Sequence, residues 1–267
     1  MPPHYRIGTE SVEIAARRQF FAAAPASFGC RVLSLPDSPA TLLSVLAMPS
    51  PVMNRVLGLP GGQPLTAELF GQVRHVFRER GIPRFWIHAW DTPADAPLRA
   101  SLQVLGCQPA GAWTKFECDL GTPRPPAPPT VRRARADEYG LAGQIMCDSF
   151  GMPAVMVAWM AGLAQRPAWQ VYFACDAAGA PIATGALLID GAQAWLGMAA
   201  TLPAGRRRGS QQALLAVRLA AATQAGCVTA SVEAEAAPPG ENRPSLNNIR
   251  RAGFREVGTR WNYLCES

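Results

Sequence analysis

Hydrophobic residues recur at helical spacing in five segments of the chain. In the first segment, Leu69, Val73 and Phe77 lie on one face of the predicted helix. Gly226 follows the fourth segment and can end that helix, because glycine readily adopts the left-handed conformation found after many helices. The spacing predicts helices over 66–81, 137–151, 153–166, 210–225 and 245–252.

Between these helices, apolar residues alternate with polar ones or form short runs, which is typical of β-strands. The segment 169–201 is interrupted at AAGAP and at IDGAQ, and these turn sequences divide it into three strands of a meander. Further strands are predicted over 84–90, 130–134 and 228–235 and at the carboxyl end. Strands in this order predict an α/β (α+β) fold with a mixed, mostly antiparallel central sheet and helices on both faces.

A proline-rich stretch, GTPRPPAPPT, separates two halves that resemble each other. It predicts a linker over 122–130 between domains at 1–121 and 131–267. The two halves show the same order of elements. Their upstream helices and strands align at a spacing of 145 positions, and toward the end of each half identical residues recur at a spacing of 147 positions. These pairs are Gly106 with Gly253, Gly111 with Gly258 and Cys118 with Cys265. The sequence therefore predicts a duplicated fold.

The composition is that of a globular protein, with 49% hydrophobic and 16% charged residues. The net charge of +6 fits an anionic small molecule but is too small to indicate nucleic-acid binding. Seven scattered cysteines without a CxxC pair argue against a disulfide framework or a metal site, and favour a reducing compartment. No apolar signal core or membrane-length run is present, so we expect a cytoplasmic protein that makes no membrane contact.

The segment TLPAGRRRGSQQALLAVRLA places three arginines directly before the predicted helix at 210–225. A cluster of this kind is commonly a solvated surface, and that interpretation stays open for the segment taken alone. The duplication supplies an internal comparison, because Arg206–Gly209 align with the uncharged residues 61–64 of the first half. Since the same architecture forms there without arginines, we interpret the cluster as an anion site.

A helix start suits a phosphate for electrostatic and hydrogen-bonding reasons. The first turn leaves N–H donors unpaired, and the helix dipole adds positive potential at that end. Gly209 allows close backbone approach, and arginine side chains donate charge-assisted hydrogen bonds to phosphate oxygens. The spacing matches neither a P-loop nor the dinucleotide-binding fingerprint, which disfavours nucleoside triphosphates and NAD.

Two short motifs give the second half its resemblance to a known family. Arg206-x-x-Gly209-x-Gln211 is similar to the phosphate loop of the GNAT acyltransferases, R/Q-x-x-G-x-G/A, except that Gln211 stands where glycine or alanine is usual. The stretch NRPSLNNIRRAGF resembles the later family signature, with Asn242, Gly253 and Phe254 in place. The resemblance covers 131–267, and the first half resembles the degenerate copy of a tandem GNAT protein.

The resemblance implies acetyl-CoA as the co-substrate and requires no metal. It implies that the two middle strands separate to form a cleft, and that the pantetheine arm pairs with Leu196–Thr201. The thioester then lies near Met198 and Ala199, whose N–H groups can stabilise an oxyanion. The implied coenzyme-binding residues are Met198, Ala199, Ala200, Arg206, Arg207, Arg208, Gly209, Ser210, Gln211 and Asn242.

Proton transfer needs a base and an acid. The alternation of strand 228–235 places Glu233 and Glu235 on one face, with Glu233 deeper in the strand. Glu233 is our candidate base or cation-binding group, although a polar strand face is also typical of plain solvent surface.

The family's usual tyrosine acid is replaced here by Ile249, which cannot donate a proton. Asn248, Ser245 and Tyr263 are the candidates that remain. Each has a structural alternative, as a helix-surface residue, an N-cap and a packed aromatic respectively. A thiolate can also leave without assistance.

The resemblance implies an acetyl-CoA-dependent N-acetyltransferase that acts on a primary amine of a small molecule or peptide N-terminus. The replacement of the family tyrosine by Ile249 leaves a non-catalytic acyl-CoA sensor as the alternative. A nucleic-acid module is a third interpretation, and it is disfavoured because aromatic residues are not interleaved with the arginines. The sequence predicts neither the acceptor nor the oligomeric state.

Overall fold

The computed structural model describes residues 3–35, 38–121, 130–238 and 240–267, with side chains from residue 8 onward. Seven α-helices occur in these residues. They are α1 (Pro3–Ala22), α2 (Ala67–Glu79), α3 (Ala96–Val104), α4 (Tyr139–Phe150), α5 (Val155–Gly162), α6 (Ser210–Gln224) and α7 (Pro244–Arg251).

Eleven strands alternate with these helices in the described residues. Most of the strand pairs are antiparallel, and β3 with β4 and β9 with β10 are parallel. The predicted mixed, mostly antiparallel α/β fold is thereby confirmed. The strands are β1 (Arg31–Ser34), β2 (Thr41–Ser44), β3 (Arg55–Leu57), β4 (Arg84–Trp90), β5 (Gln108–Asp119), β6 (Val131–Arg133), β7 (Trp169–Cys175), β8 (Pro181–Asp190), β9 (Gln193–Thr201), β10 (Thr229–Glu235) and β11 (Arg255–Glu266).

The residue contacts divide the chain into two compact units that are not contiguous in sequence. Unit 1 comprises residues 1–25 and 115–257, and unit 2 comprises residues 26–114 and 258–267. These units do not coincide with the predicted linear domains, because α1 and the end of β5 pack with the second half and most of β11 packs with the first. The predicted linker falls on residues 122–130, of which all but Thr130 lie outside the described residues.

Unit 1 carries its strands in the order β5, β10, β9, β8, β7, β6. On one face of these strands, Leu215 and Leu219 of α6 and Ile249 of α7 share a buried core with Leu187 of β8 and Leu196 of β9. The strands therefore hold α6 and α7 through apolar contacts, as expected for side chains that alternate between two faces of a sheet.

The other face of unit 1 is covered by α1, which packs beside α5. Phe20 stacks on Trp159 with ring centroids 4.6 Å apart, and the Trp159 indole donates a hydrogen bond to the Phe20 carbonyl at 2.7 Å. Three residues before Phe20 in α1, the Arg17 guanidinium lies 5.1 Å from the ring centroid of Trp195 in β9. The helices of unit 1 thus occupy both faces, as predicted.

Unit 2 carries its strands in the order β1, β2, β3, β4, β11. Phe70 and Phe77 of α2 pack with Phe85 and Ile87 of β4 in a separate buried core. Residues 260–266 of β11 pair antiparallel with β4, so the last strand of the sequence contributes to the sheet in unit 2.

A disulfide joins Cys107 and Cys265 within unit 2, with their Cα atoms 4.5 Å apart. One disulfide therefore forms, although the scattered cysteines argued against a disulfide framework. The two residues are 158 positions apart in sequence, so no local spacing motif signals the bond. The cysteine argument for a reducing compartment loses its basis.

Candidate active site

In the centre of unit 1, the pairing between two parallel strands ends before the strands do. β9 and β10 pair over four positions, and the pairing ends with Val232 opposite Leu196. Both strands continue beyond this pair, and no further register partners join them in the described residues. We call the gap between residues 197–201 of β9 and 233–235 of β10 the cleft. It lies where the resemblance places the separation of the two middle strands.

A bulge in β9 borders the cleft. The pairing of β8 with β9 passes from Gly197 directly to Ala200, and neither Met198 nor Ala199 has a register partner on β8 or β10 in the described chain. Met198 has a φ of 50°, which is unusual for a residue with a side chain. The bulge therefore removes two peptide units from the sheet at the positions predicted to contact the thioester.

The strand β9 leads directly into the arginine loop. A 3₁₀ turn at Pro203–Gly205 is followed by three exposed arginines and by Gly209, the N-cap of α6. Gly209 has a φ of 76°, and Arg207 also lies in the left-handed region with a φ of 60°. Two left-handed residues so close together turn the chain sharply before α6 begins.

The N-terminal end of α6 has no cap from the protein. No side-chain hydrogen bond is made by its N-cap residue, and the first bond inside the helix runs from the Ala213 N–H to the Gly209 carbonyl at 3.0 Å. Before that bond, a run of backbone N–H groups lacks an acceptor among the described residues. The run comprises Arg207, Arg208, Gly209, Ser210, Gln211 and Gln212.

The corresponding helix of unit 2 begins differently. The Thr66 hydroxyl caps α2 by accepting a hydrogen bond from the Leu69 N–H at 3.2 Å, and Glu68 places an acidic group in the first turn. A hydroxyl and a carboxylate satisfy the donors and the dipole at that helix start. In α6 both contributions are absent from the described residues and three arginines stand in their place, so this end is complementary to an anion.

The three guanidinium groups of the loop are exposed, and none forms an ion pair or hydrogen bond within the described part of the chain. Arg208 and Gly209 also line a surface pocket of about 240 Å³ together with Ser210, Cys175 and Asp176. Unpaired arginines beside a pocket and a bare helix start can bind phosphate oxygens through several charge-assisted hydrogen bonds.

The helix α7 is tied to the start of α6 through Asn248. Its side-chain amide donates to the Gln211 Oε1 at 2.9 Å, and its backbone carbonyl accepts from the Gln212 Nε2 at 2.9 Å. Asn242 accepts a hydrogen bond from Asn247 at 2.6 Å, and Ser245 occupies the first turn of α7. Four of the predicted polar residues thus lie in this region: Gln211 on α6, Asn242 before α7, and Ser245 and Asn248 on α7.

Glu233 lies one position beyond the last paired residue of β10, with its side chain 6% exposed. Its Oε1 accepts a hydrogen bond from Arg17 at 2.7 Å, and its Oε2 contacts the Lys115 ammonium. Lys115 also bonds Glu13 of α1 at 2.7 Å. We call these four residues the buried charge cluster, in which two cations contact two carboxylates.

The predicted base is therefore a carboxylate with both oxygens held by cations. Beside it, the hydroxyl of Ser231 has no hydrogen-bond partner among the described residues, and Ser231 is 3% exposed. Ser231, Trp195 and Thr9 enclose the buried charge cluster. A polar set of this kind has the chemistry to hold a charged group in a fixed orientation.

Two other candidates occupy different surroundings. Glu235 is exposed at the end of β10 and pairs with Arg243. Tyr263 belongs to unit 2, where it pairs with Ile87 and is 3% exposed in the apolar core. Burial raises the pKa of the Tyr263 phenol. Ile249, at the family's tyrosine position, is buried in the core of unit 1.

The sequence interpretation missed Glu13, Arg17 and Lys115. Glu13 and Arg17 lie one helical turn apart on α1, and Lys115 lies near the end of the first half. Arg17 and Lys115 contact Glu233, and Glu13 contacts Lys115, so the cluster joins segments far apart in sequence. One signal was present in the composition, because Lys115 is the only lysine of the chain.

No group of three or more potential metal ligands is found in the described residues. No helix among them is long and apolar enough to cross a membrane.

Comparison with solved structures identifies the class of fold. A GCN5-related N-acetyltransferase from Kribbella flavida aligns with a TM-score of 0.65 over 98% of this chain and 95% of its own, at 18% identity. Another from Sphaerobacter thermophilus aligns with a TM-score of 0.64 over 88% and 82%, at 14% identity. The chain has the fold of the GCN5-related N-acetyltransferases, and the predicted resemblance is confirmed at this level.

A tandem GNAT protein from the clavulanic acid biosynthesis pathway is also similar, with a TM-score of 0.58 and 17% identity. The alignment covers 85% of this chain and 78% of that protein. Comparison with family models and with curated proteins gives no match.

Proposed function

We propose that this chain is an acetyl-CoA-dependent N-acetyltransferase, in which a primary amine attacks the thioester directly. The observation that carries the proposal is the start of α6, where bare N–H groups and three unpaired arginines follow the strand that borders the cleft. The diphosphate of acetyl-CoA supplies the anionic oxygens that such a helix start binds. The shared N-acetyltransferase fold supports the same function.

The proposed coenzyme contacts follow the course of the chain. The diphosphate binds Arg206, Arg207, Arg208, Gly209, Ser210 and Gln211. Asn242, in the segment before α7, is a further coenzyme contact. The pantetheine arm pairs with the free edge of β9 at Met198, Ala199 and Ala200. This path leads from the helix start to the bulge and positions the thioester in the cleft.

The reaction forms a C–N bond and breaks a C–S bond. The neutral amine attacks the thioester carbonyl carbon, and the resulting oxyanion accepts hydrogen bonds from the N–H groups of Met198 and Ala199. One such donor contributes about 100-fold to 1,000-fold in rate where it has been measured in other enzymes. Collapse expels the CoA thiolate; the attacking nitrogen loses its extra proton to solvent, and the thiolate takes a proton from solvent or from a side chain.

We propose that Glu233 acts on the acceptor amine. Both of its oxygens already accept hydrogen bonds from cations, which makes the carboxylate a weaker acceptor for the amine's proton. Asn248 and Ser245 are proposed as hydrogen-bond donors to the thiolate. That Tyr263 protonates the thiolate stays a prediction. The acceptor is a primary amine of a small molecule or a peptide N-terminus.

Calorimetric titration with acetyl-CoA tests the proposed function. The double variant R206E/R208E should lose affinity about 100-fold or more, because two charge-assisted contacts become repulsive. The matched control R78E/R84E changes two exposed arginines of unit 2 and should bind like the unaltered protein. Equal affinity in R206E/R208E, or no binding by the unaltered protein, would contradict the proposal.

A second candidate is a non-catalytic acyl-CoA-binding protein. It is favoured by buried Ile249 at the position of the family's acid and by the engaged oxygens of Glu233. Thiol release measured across a panel of primary amines separates the two functions. Release with any amine supports the transferase, whereas tight acetyl-CoA binding without release across the panel supports the sensor.

The cytoplasmic location stays a prediction. The Cys107–Cys265 disulfide opposes the part of that prediction that came from the cysteines.

A further inference from the structure

Arg218 of α6 is buried without a carboxylate partner. Arg218 is 1% exposed, and it forms no ion pair within the described residues. Burial lowers the pKa of the guanidinium to about 10, so the group is still protonated at neutral pH. A buried charge of this kind costs free energy, and proteins retain such groups mainly where they have a specific structural or functional role.

The guanidinium contacts carbonyl oxygens from three elements. Its Nε donates to the Leu214 carbonyl of its own helix at 2.9 Å. Its Nη1 donates to the Ala186 carbonyl of β8 at 3.1 Å and to the Gly197 carbonyl of β9 at 3.4 Å. Ala186 and Gly197 are register partners at the border of the bulge, so Arg218 binds the sheet at the point where the regular pairing stops.

Gly185 makes room for this arrangement. A Cβ at Gly185 would lie 2.8 Å from the Cζ of Arg218, closer than a real side chain allows. Gly185 is also the residue of β8 that lies opposite the bulge, between the pairs Thr184↔Ala200 and Ala186↔Gly197. Gly185 therefore both leaves space for the Arg218 guanidinium and marks the interruption of the pairing between β8 and β9.

The Gly197 carbonyl and the Met198 N–H belong to one peptide group. In a planar trans peptide these two bonds point in opposite directions. Arg218 draws the carbonyl toward β8 and α6, since it binds the Ala186 carbonyl at the same time. The Met198 N–H is consequently directed away from β8, to the side of β9 on which β10 and the cleft lie.

We propose that Arg218 is a positioning residue that fixes the Gly197–Met198 peptide, so that the Met198 N–H faces the thioester carbonyl. Its positive charge lies behind that peptide and also favours the oxyanion formed during acyl transfer. The inference rests on the proposed function and adds a residue outside the phosphate loop and the buried charge cluster.

Infrared difference spectroscopy with acetyl-CoA labelled with ¹³C at the carbonyl tests this role without a known acceptor. In the unaltered protein the bound carbonyl should absorb at lower frequency than the free thioester, because it accepts a hydrogen bond. In R218M the frequency should return toward the free value, while the calorimetric dissociation constant changes less than about threefold. R132M, which removes a surface arginine from unit 1, should keep the lower frequency.

R218K retains the charge but cannot reach three carbonyls, so we expect an intermediate carbonyl frequency. If R218M does not fold, the frequency in R218K tests the positioning role of Arg218. With an acceptor amine in hand, R218M should lower kcat about 100-fold with little change in the KM for acetyl-CoA. An unchanged frequency in the folded variants would overturn the inference alone. Absence of acetyl-CoA binding by the unaltered protein would overturn the proposed function and the inference together.

Discussion

His88 in unit 2 and Glu233 in unit 1 occupy equivalent positions in their own sheets. Each residue immediately follows the last parallel pair of its strand, which is Ile87 opposite Val56 for β4 and Val232 opposite Leu196 for β10. The alignment of the two halves pairs the same two residues. A shared break in pairing at aligned positions supports the predicted duplication, in which an imidazole stands in one copy and a carboxylate in the other.

The role of Glu233 can be separated from that of its neighbour on the same strand. If Glu233 binds the acceptor ammonium, E233Q should raise the KM for the amine about tenfold and lower kcat much less. E235Q is the control, because Glu235 is exposed and should change neither constant. Steady-state kinetics with a reactive amine measures both, and a large loss of kcat at constant KM would indicate proton transfer instead.

The buried charge cluster should show strong energetic coupling between Glu13 and Lys115. K115M leaves two carboxylates with one arginine, so we expect it to lower the free energy of unfolding by about 3–5 kcal/mol. Adding E13Q should recover part of this loss, with a coupling energy of about 1–3 kcal/mol in a double-mutant cycle. Denaturant unfolding of the four proteins measures it, and additive effects would contradict the contact.

The disulfide of unit 2 predicts the outcome of thiol counting. Of the seven cysteines, alkylation of the unreduced, unfolded chain should modify five and spare Cys107 and Cys265. C107S should lower the free energy of unfolding by about 2–5 kcal/mol, since it releases a long cross-linked loop. C30S removes a free thiol and is the control. Seven alkylated thiols without reduction would disprove the bond.

Glu138 predicts a pH-dependent contribution to the stability of unit 1. Its hydrogen bonds with the Arg132 guanidinium, followed by that with the Arg135 N–H, lower the pKa of the carboxyl to about 2. The folded-state pKa lies below the unfolded value of about 4.3, so the stabilisation is complete above that pH and is lost as the pH falls toward 2. Unfolding of E138Q and the unaltered protein should therefore differ at pH 7 and converge near pH 2; a constant difference would refute the prediction.

The parts of the fold that depend on local pattern were predicted well. The helix predicted over 210–225 is observed as Ser210–Gln224, and the one predicted over 66–81 as Ala67–Glu79. The meander between residues 169 and 201 forms three strands as predicted. Periodicity and turn residues determine these elements within a few residues of chain, and the arginine loop could be recognised for the same reason.

The contacts between distant segments could not be predicted from the sequence. α1 carries Arg17 to Glu233 across more than two hundred positions, and β11 pairs with β4 of unit 2. The local sequence pattern of a strand does not predict which other strand it will pair with. The bulge at Met198 was not predicted either, because a bulge is a mismatch in register with a neighbouring strand, here β8, and does not follow from the sequence of β9 alone.

The exchange of segments between the two units means that cutting the polypeptide at its proline-rich centre would not yield two autonomous fragments. The carboxyl-terminal piece would retain Glu233 but lose the lysine and arginine that neutralise it, and the amino-terminal piece would lose the strand that carries Cys265. Produced together, however, the pieces offer each other the missing partners, so this protein is suited to reconstitution from two separately encoded parts.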